Sequence, residues 1–133
     1  MKPKLLLRIA SVLMLLHAIG HSIGAMTWKK APDATIQNVV DSMQNNHFDF
    51  MGRSTSLGLF YNGYGIIMIG VLLLLTIQLW QLAVEPNRKT ILLLSVFLLF
   101  MGTCELIWFF PFAAAFSLLA GLITFYSYFK TKP

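Results

Sequence analysis

Residues 91–129 read ILLLSVFLLFMGTCELIWFFPFAAAFSLLAGLITFYSYF, an almost continuous apolar run with one acidic residue. As a single helix rising 1.5 Å per residue it would be roughly 58 Å long, close to twice the ~30 Å hydrocarbon core of a bilayer. The run must fold back, and Phe109-Phe110-Pro111-Phe112 is where it can. A proline ring clashes with the turn before it, so it cannot extend an existing helix, but it suits the first turn of a new one. Two helices follow, over about 90–109 and 112–129, each near the ~20 residues a membrane span needs.

Working outward, two more stretches meet the same length. One runs from Leu5 to Met26 and is interrupted by Arg8, His17 and His21, and the other runs from about Leu57 to Leu82. The first has a competing reading as a cleaved signal peptide, because Lys2, Lys4 and Arg8 precede an apolar core and Ser22-Ile23-Gly24 resembles a small-x-small cleavage site. His17 and His21 break the end of that core, which favours a retained span. The expected fold is therefore all-α: a single transmembrane domain over 1–133, built as an integral membrane four-helix bundle.

Composition points the same way. Of 133 residues, 57% are hydrophobic and only 11% charged, against about 25% charged in ordinary soluble domains. The mean hydropathy is +0.72. A small soluble domain leaves too much area exposed to hide that much apolar surface, so lipid is the expected surrounding. The net charge of +5 does not imply nucleic acid, because the basic residues sit at span ends and form no stripe. The single cysteine, Cys104, excludes an intrachain disulfide and any chemistry needing two thiols in one chain.

Placed at span ends, those basic residues also orient the chain. With the N-terminus inside, Lys2, Lys4, Arg8, Arg88, Lys89, Lys130 and Lys132 lie on the inner side, and Lys29, Lys30 and Arg53 on the outer. The positive-inside rule then puts both termini in the cytoplasm of a cell whose inner membrane the chain crosses four times.

That topology leaves one sizeable outer loop, residues 27–56. Pro32-Asp33 reads as a helix start with Asp33 as N-cap. Ile36, Val39, Val40 and Met43 then recur at helical spacing opposite Gln37, Asn38, Asp41 and Gln44, the pattern of a short amphipathic helix lying on the bundle mouth or the headgroups. After it comes His47-Phe48-Asp49-Phe50-Met51-Gly52-Arg53, where aromatic and ionisable residues alternate. His47, Asp49 and Arg53 are the loop's candidates to line or cover a site.

Inside the spans, polar groups are costly and mark function more often than chance would. At 100° per residue, His17, Gly20, His21 and Gly24 share an arc of about 100° on the first span. Gly20 and Gly24 form a GxxxG pair that permits a close helix neighbour. Tyr61 and Asn62 share a face on the second span with Gly58 and Gly65. The third span carries Glu105 beside Leu98, Met101 and Trp108. The fourth shows a stripe of Ala113, Ala114, Ser117, Ala120, Gly121 and Thr124. Counting rise from the span centres puts His21, Glu105 and Asn62 roughly 8–11 Å outward of the midplane, with His17 within about 2 Å of it.

The functional reading of this layer is an outward-facing polar pocket for a small lipophilic molecule or cofactor. His17, His21 and Glu105 would form its centre, with Tyr61 and Asn62 in support. Two histidines at i and i+4 plus a carboxylate also match a metal-binding set of His17, His21 and Glu105. Alternatively the same groups relay protons, since histidine titrates near neutral pH. The bland reading is hydrogen bonding across helix pairs. Cys104 faces away from Glu105 by about 100° and reads as packing, and Trp28, Tyr61, Tyr64 and Trp108 also suit an interfacial aromatic belt.

Leu7-Arg8-Ile9 followed by His17-Ala18-Ile19-Gly20-His21, together with the four-span layout, resembles the small bacterial membrane proteins grouped as DoxX-like. The resemblance implies a four-helix inner-membrane bundle and brings no activity with it. Three functional expectations thus stand side by side: a ligand pocket, a structural or accessory protein associating through its small-residue faces as a homodimer, and a small proton-coupled transporter. The sequence names no reaction, so it leaves open whether the chain is an enzyme.

Overall fold

A computed structural model describes residues 2–132. In order along the chain come α1 (Pro3–Thr27), α2 (Ala34–Asn45), β1 (His47–Phe50), β2 (Arg53–Ser56), α3 (Leu57–Val84), α4 (Arg88–Trp108) and α5 (Pro111–Lys130). The chain is mostly helical, and α1, α3, α4 and α5 are long and apolar enough to cross a membrane. Only 28–33% of the core window of each is buried inside the chain. The remaining faces carry residues such as Leu93, Phe100, Ile107 and Leu122, and a helix that is apolar all round needs an apolar surrounding.

The chain divides into two compact units, residues 1–18 with 71–133, and residues 19–70. In the first unit α4 and α5 form a helical hairpin. The helix before it stops at Trp108, and Pro111 opens α5 at its first turn. The apposed faces follow helical spacing: Ile91, Ser95, Leu98, Met101 and Gly102 on α4, and Ala114, Ser117, Ala120, Gly121, Thr124 and Ser127 on α5. Two glycines set their distance. A Cβ at Gly102 would lie 2.7 Å from the Leu118 side chain and 2.9 Å from its backbone nitrogen, and one at Gly121 would lie 3.0 Å from the Leu99 backbone nitrogen. Small residues let helix backbones approach this closely. The fourth-span stripe, read from sequence as a possible dimer face, is thus packed inside the chain.

Hydroxyls in this unit are mostly satisfied within their own helices. Thr124 donates to the Ala120 carbonyl, Ser127 to Thr124 and Ser95 to Leu92, so they carry little cost in an apolar setting. Ser11 reaches across instead, donating to the Thr76 carbonyl of α3 at 2.7 Å. Near the starts of α1 and α4, Arg8 lies over the Trp80 ring and Arg88 over Tyr128. These cation–π contacts cover the stems of both arginines.

The second unit holds α2 and a β-hairpin that the all-α expectation did not include. Asp33 caps α2 by accepting from the Ile36 amide. The amphipathic helix read from the sequence is present, with its apolar side covered in part by the chain. Val40 is buried and Gln37 turns inward, accepting from the Ala31 amide and donating to the Lys29 carbonyl, while Ile36 and Val39 stay exposed. The hairpin pairs His47 with Ser56 and Phe50 with Arg53. Its alternation puts Phe48 and Phe50 on one face, and both rings pack on Phe60 in the first turn of α3. Met51 and Gly52 form the turn, both with positive φ (54° and 80°).

Candidate functional site

The first unit joins three polar side chains from three helices. His17 on α1, Glu105 on α4 and Ser117 on α5 are the participants, and Glu105 is the only carboxylate within the four long apolar helices. His17 Nε2 stands 3.6 Å from Glu105 Oε1, with the two side chains 7% and 12% exposed. At that distance the contact is an ion-pair approach with no direct hydrogen bond. On the other side of the ring, Nδ1 lies 3.2 Å from the Ser117 hydroxyl. A hydroxyl donates once and accepts twice, so Ser117 can partner the imidazole in either tautomer.

Packing fixes this geometry. Gly102 stands one turn before Glu105, and its missing side chain admits Leu118, the neighbour of Ser117. Phe116 stacks on His17 with ring centroids 5.9 Å apart, and Phe112 meets Phe116 edge-on. The imidazole thus meets the Phe116 ring, the Ser117 hydroxyl and the Glu105 carboxyl. Glu105 Oε2 is buried and has no hydrogen-bond partner, an arrangement that costs free energy unless something else occupies that oxygen.

His21 belongs to the second unit, where its Nε2 lies 3.2 Å from the Gly65 carbonyl oxygen of α3. An imidazole N–H donating there closes an α1–α3 contact, with Ala25 facing the same Gly65 at ordinary van der Waals distance. A Cβ at Gly20 or Gly24 would meet nothing within 4 Å. Among the described residues nothing of this chain packs against the GxxxG pair, and the two histidines meet different partners, Glu105 and Ser117 for His17 and the Gly65 carbonyl for His21. Among the described residues, no three His, Cys, Asp or Glu side chains are grouped so as to hold a metal ion.

Asn62 and Tyr61 serve Trp28. The indole Nε1 donates to Asn62 Oδ1 at 3.4 Å, and the Tyr61 ring packs on the indole at 4.7 Å. Of the loop candidates, His47 lines a cleft in the second unit together with Trp28 and Asn62. Asp49 accepts from the Gly52 amide and so shapes the hairpin turn, and Arg53 sits exposed opposite Phe50. Cys104 is a free thiol, half-buried. Ser117 was visible in sequence only as one of a stripe of small residues. What distinguishes it is that its hydroxyl meets a side chain of another helix, while Thr124 and Ser127 bond back along α5.

Comparison with protein-family models, with curated proteins and with solved structures gives no match. The side chains themselves carry the functional argument.

Proposed function

We propose that this chain is a multi-pass inner-membrane protein, both termini cytoplasmic, that binds and releases a proton at the His17–Ser117–Glu105 site and works as a small proton-coupled transporter of a lipophilic substrate. The observation that carries this reading is the buried Glu105 carboxyl beside His17, with Oε2 unpartnered. A carboxyl inside a spanning helix that serves packing alone would be expected to satisfy both oxygens. A proton shared among carboxyl, hydroxyl and imidazole satisfies them in turn. Moving that proton changes which helix of α1, α4 and α5 is held most tightly, and this couples proton binding to helix movement.

The test is infrared titration of the protein in proteoliposomes, following the carboxyl C=O band across pH, with internal pyranine reporting proton uptake. A band that titrates in the wild type and disappears in Glu105→Gln, with a shifted midpoint in His17→Ala, supports the reading. An unchanged band and unchanged proton uptake in Glu105→Gln would overturn it.

A further inference from the structure

We propose that the cleft of the second unit binds a phosphate group. Its volume is ≈ 170 Å³, and its walls come from the end of α1, from α2, from the hairpin and from the first turns of α3. Cavities of about 150 Å³ take a benzene ring, so this cleft accommodates a phosphate with the first atoms of an ester. The proposal does not depend on the proton site.

The chemistry of the wall selects an anion. Lys29 supplies an ammonium, His47 a ring N–H, Ser56 a hydroxyl, and Gln44 and Asn62 their amides, and no aspartate or glutamate lines the cleft. Several of these donors remain available. Asn62 uses Oδ1 to accept from Trp28, which leaves its NH2 to donate. Ser56 Oγ accepts from the Leu59 amide, which leaves its hydroxyl hydrogen. His47 and Ser56 are cross-strand partners, so the hairpin register itself places them side by side. Donors approaching from four elements suit the tetrahedral oxygens of phosphate better than a planar carboxylate, and charge-assisted bonds of this kind are the stronger ones. The Trp28 indole and Leu59 give the cleft an apolar side for the ester carbons.

Free phosphate and a lipid headgroup share this chemistry, and one experiment separates them. Trp80→Phe with Trp108→Phe leaves Trp28 as the sole tryptophan of the full chain, so its fluorescence reports the cleft. In phosphatidylcholine nanodiscs, inorganic phosphate is titrated at constant ionic strength against chloride. In parallel, the phosphatidylglycerol content of the discs is raised with no phosphate added. A saturable response to inorganic phosphate identifies a free-phosphate site, and a saturable response to phosphatidylglycerol alone identifies a headgroup site. In either case Lys29→Gln and His47→Ala should each weaken the apparent affinity at least tenfold. Both side chains are exposed, so helix content by circular dichroism should be unchanged. No saturable response to either probe, or a response that persists unaltered in the Lys29→Gln/His47→Ala double variant, overturns the proposal.

Discussion

His17 and His21 stand one turn apart on the same helix, yet the two units that contain them use them differently. His17 is buried among side chains, a carboxyl on one edge and a hydroxyl on the other. His21 is half-buried and meets a backbone carbonyl. The glycines divide in the same way: Gly102 and Gly121 are pressed against Leu118 and Leu99, while Gly20 and Gly24 face open space. The lesson is that spacing along one helix fixes which residues share a face, but the neighbour's backbone distance decides whether that face becomes a site. Where glycines let α4 and α5 close up, three polar groups meet.

The largest effect should come from prising that contact apart. Gly102→Leu puts a side chain into Leu118 and should cost roughly 3 kcal/mol, the upper part of the usual overpacking range, whereas Gly20→Leu should stay within about 0.5 kcal/mol. Unfolding by SDS in mixed micelles measures both, and equal losses would break the comparison. Next in size is His17→Ala, which leaves Glu105 buried without its imidazole neighbour and should cost about 1–3 kcal/mol. The double variant with Glu105→Leu should recover part of that loss, because removing both partners leaves no orphan. His21→Ala loses one interhelical hydrogen bond and should cost about 0.6 kcal/mol, the average measured for such bonds in a membrane protein. A His21→Ala loss as large as that of His17→Ala would show that the two units treat histidine alike.

Hydropathy made the four apolar helices legible, because runs of that length and apolarity have the dimensions of spanning helices, and Pro111 located the turn that splits the last two. Asp33 was legible as a cap for an equally local reason. Glu105 and His17 were legible as costly residues, but their partner was not: the backward bonds of Thr124 and Ser127 and the sideways bond of Ser117 arise from identical chemistry in different surroundings. The GxxxG pair was legible as a surface that permits a close neighbour, and among the described residues no part of this chain occupies it. The apolar side of α2 was legible, but the bonds of Gln37 to residues 29 and 31 were not, because they depend on where the preceding loop runs. The hairpin was missed although His47-Phe48-Asp49-Phe50 alternates with the period of a strand, because its four-residue strands are short and its turn lacks the usual Asn-Gly signal.

That turn carries the smallest prediction. A two-residue turn with positive φ at both positions is the type favoured in hairpins because its twist matches the strands, and asparagine followed by glycine is the sequence that adopts it most readily. Here Met51 occupies the first position at φ 54°, 93% exposed, where its side chain contributes no packing to offset the left-handed backbone. Asp49 compensates in part by accepting from the Gly52 amide at 2.9 Å. Met51→Asn should therefore stabilise the hairpin by about 0.5 kcal/mol, since asparagine tolerates this conformation where methionine is strained. Amide hydrogen exchange of residues 47–56 measures the change, and slower exchange confined to the hairpin is the expected result. Unchanged or faster exchange would mean that the exposed methionine is held by a contact outside the turn, and the second unit would then owe part of its order to its surroundings, unlike the glycine-closed helix pair of the first.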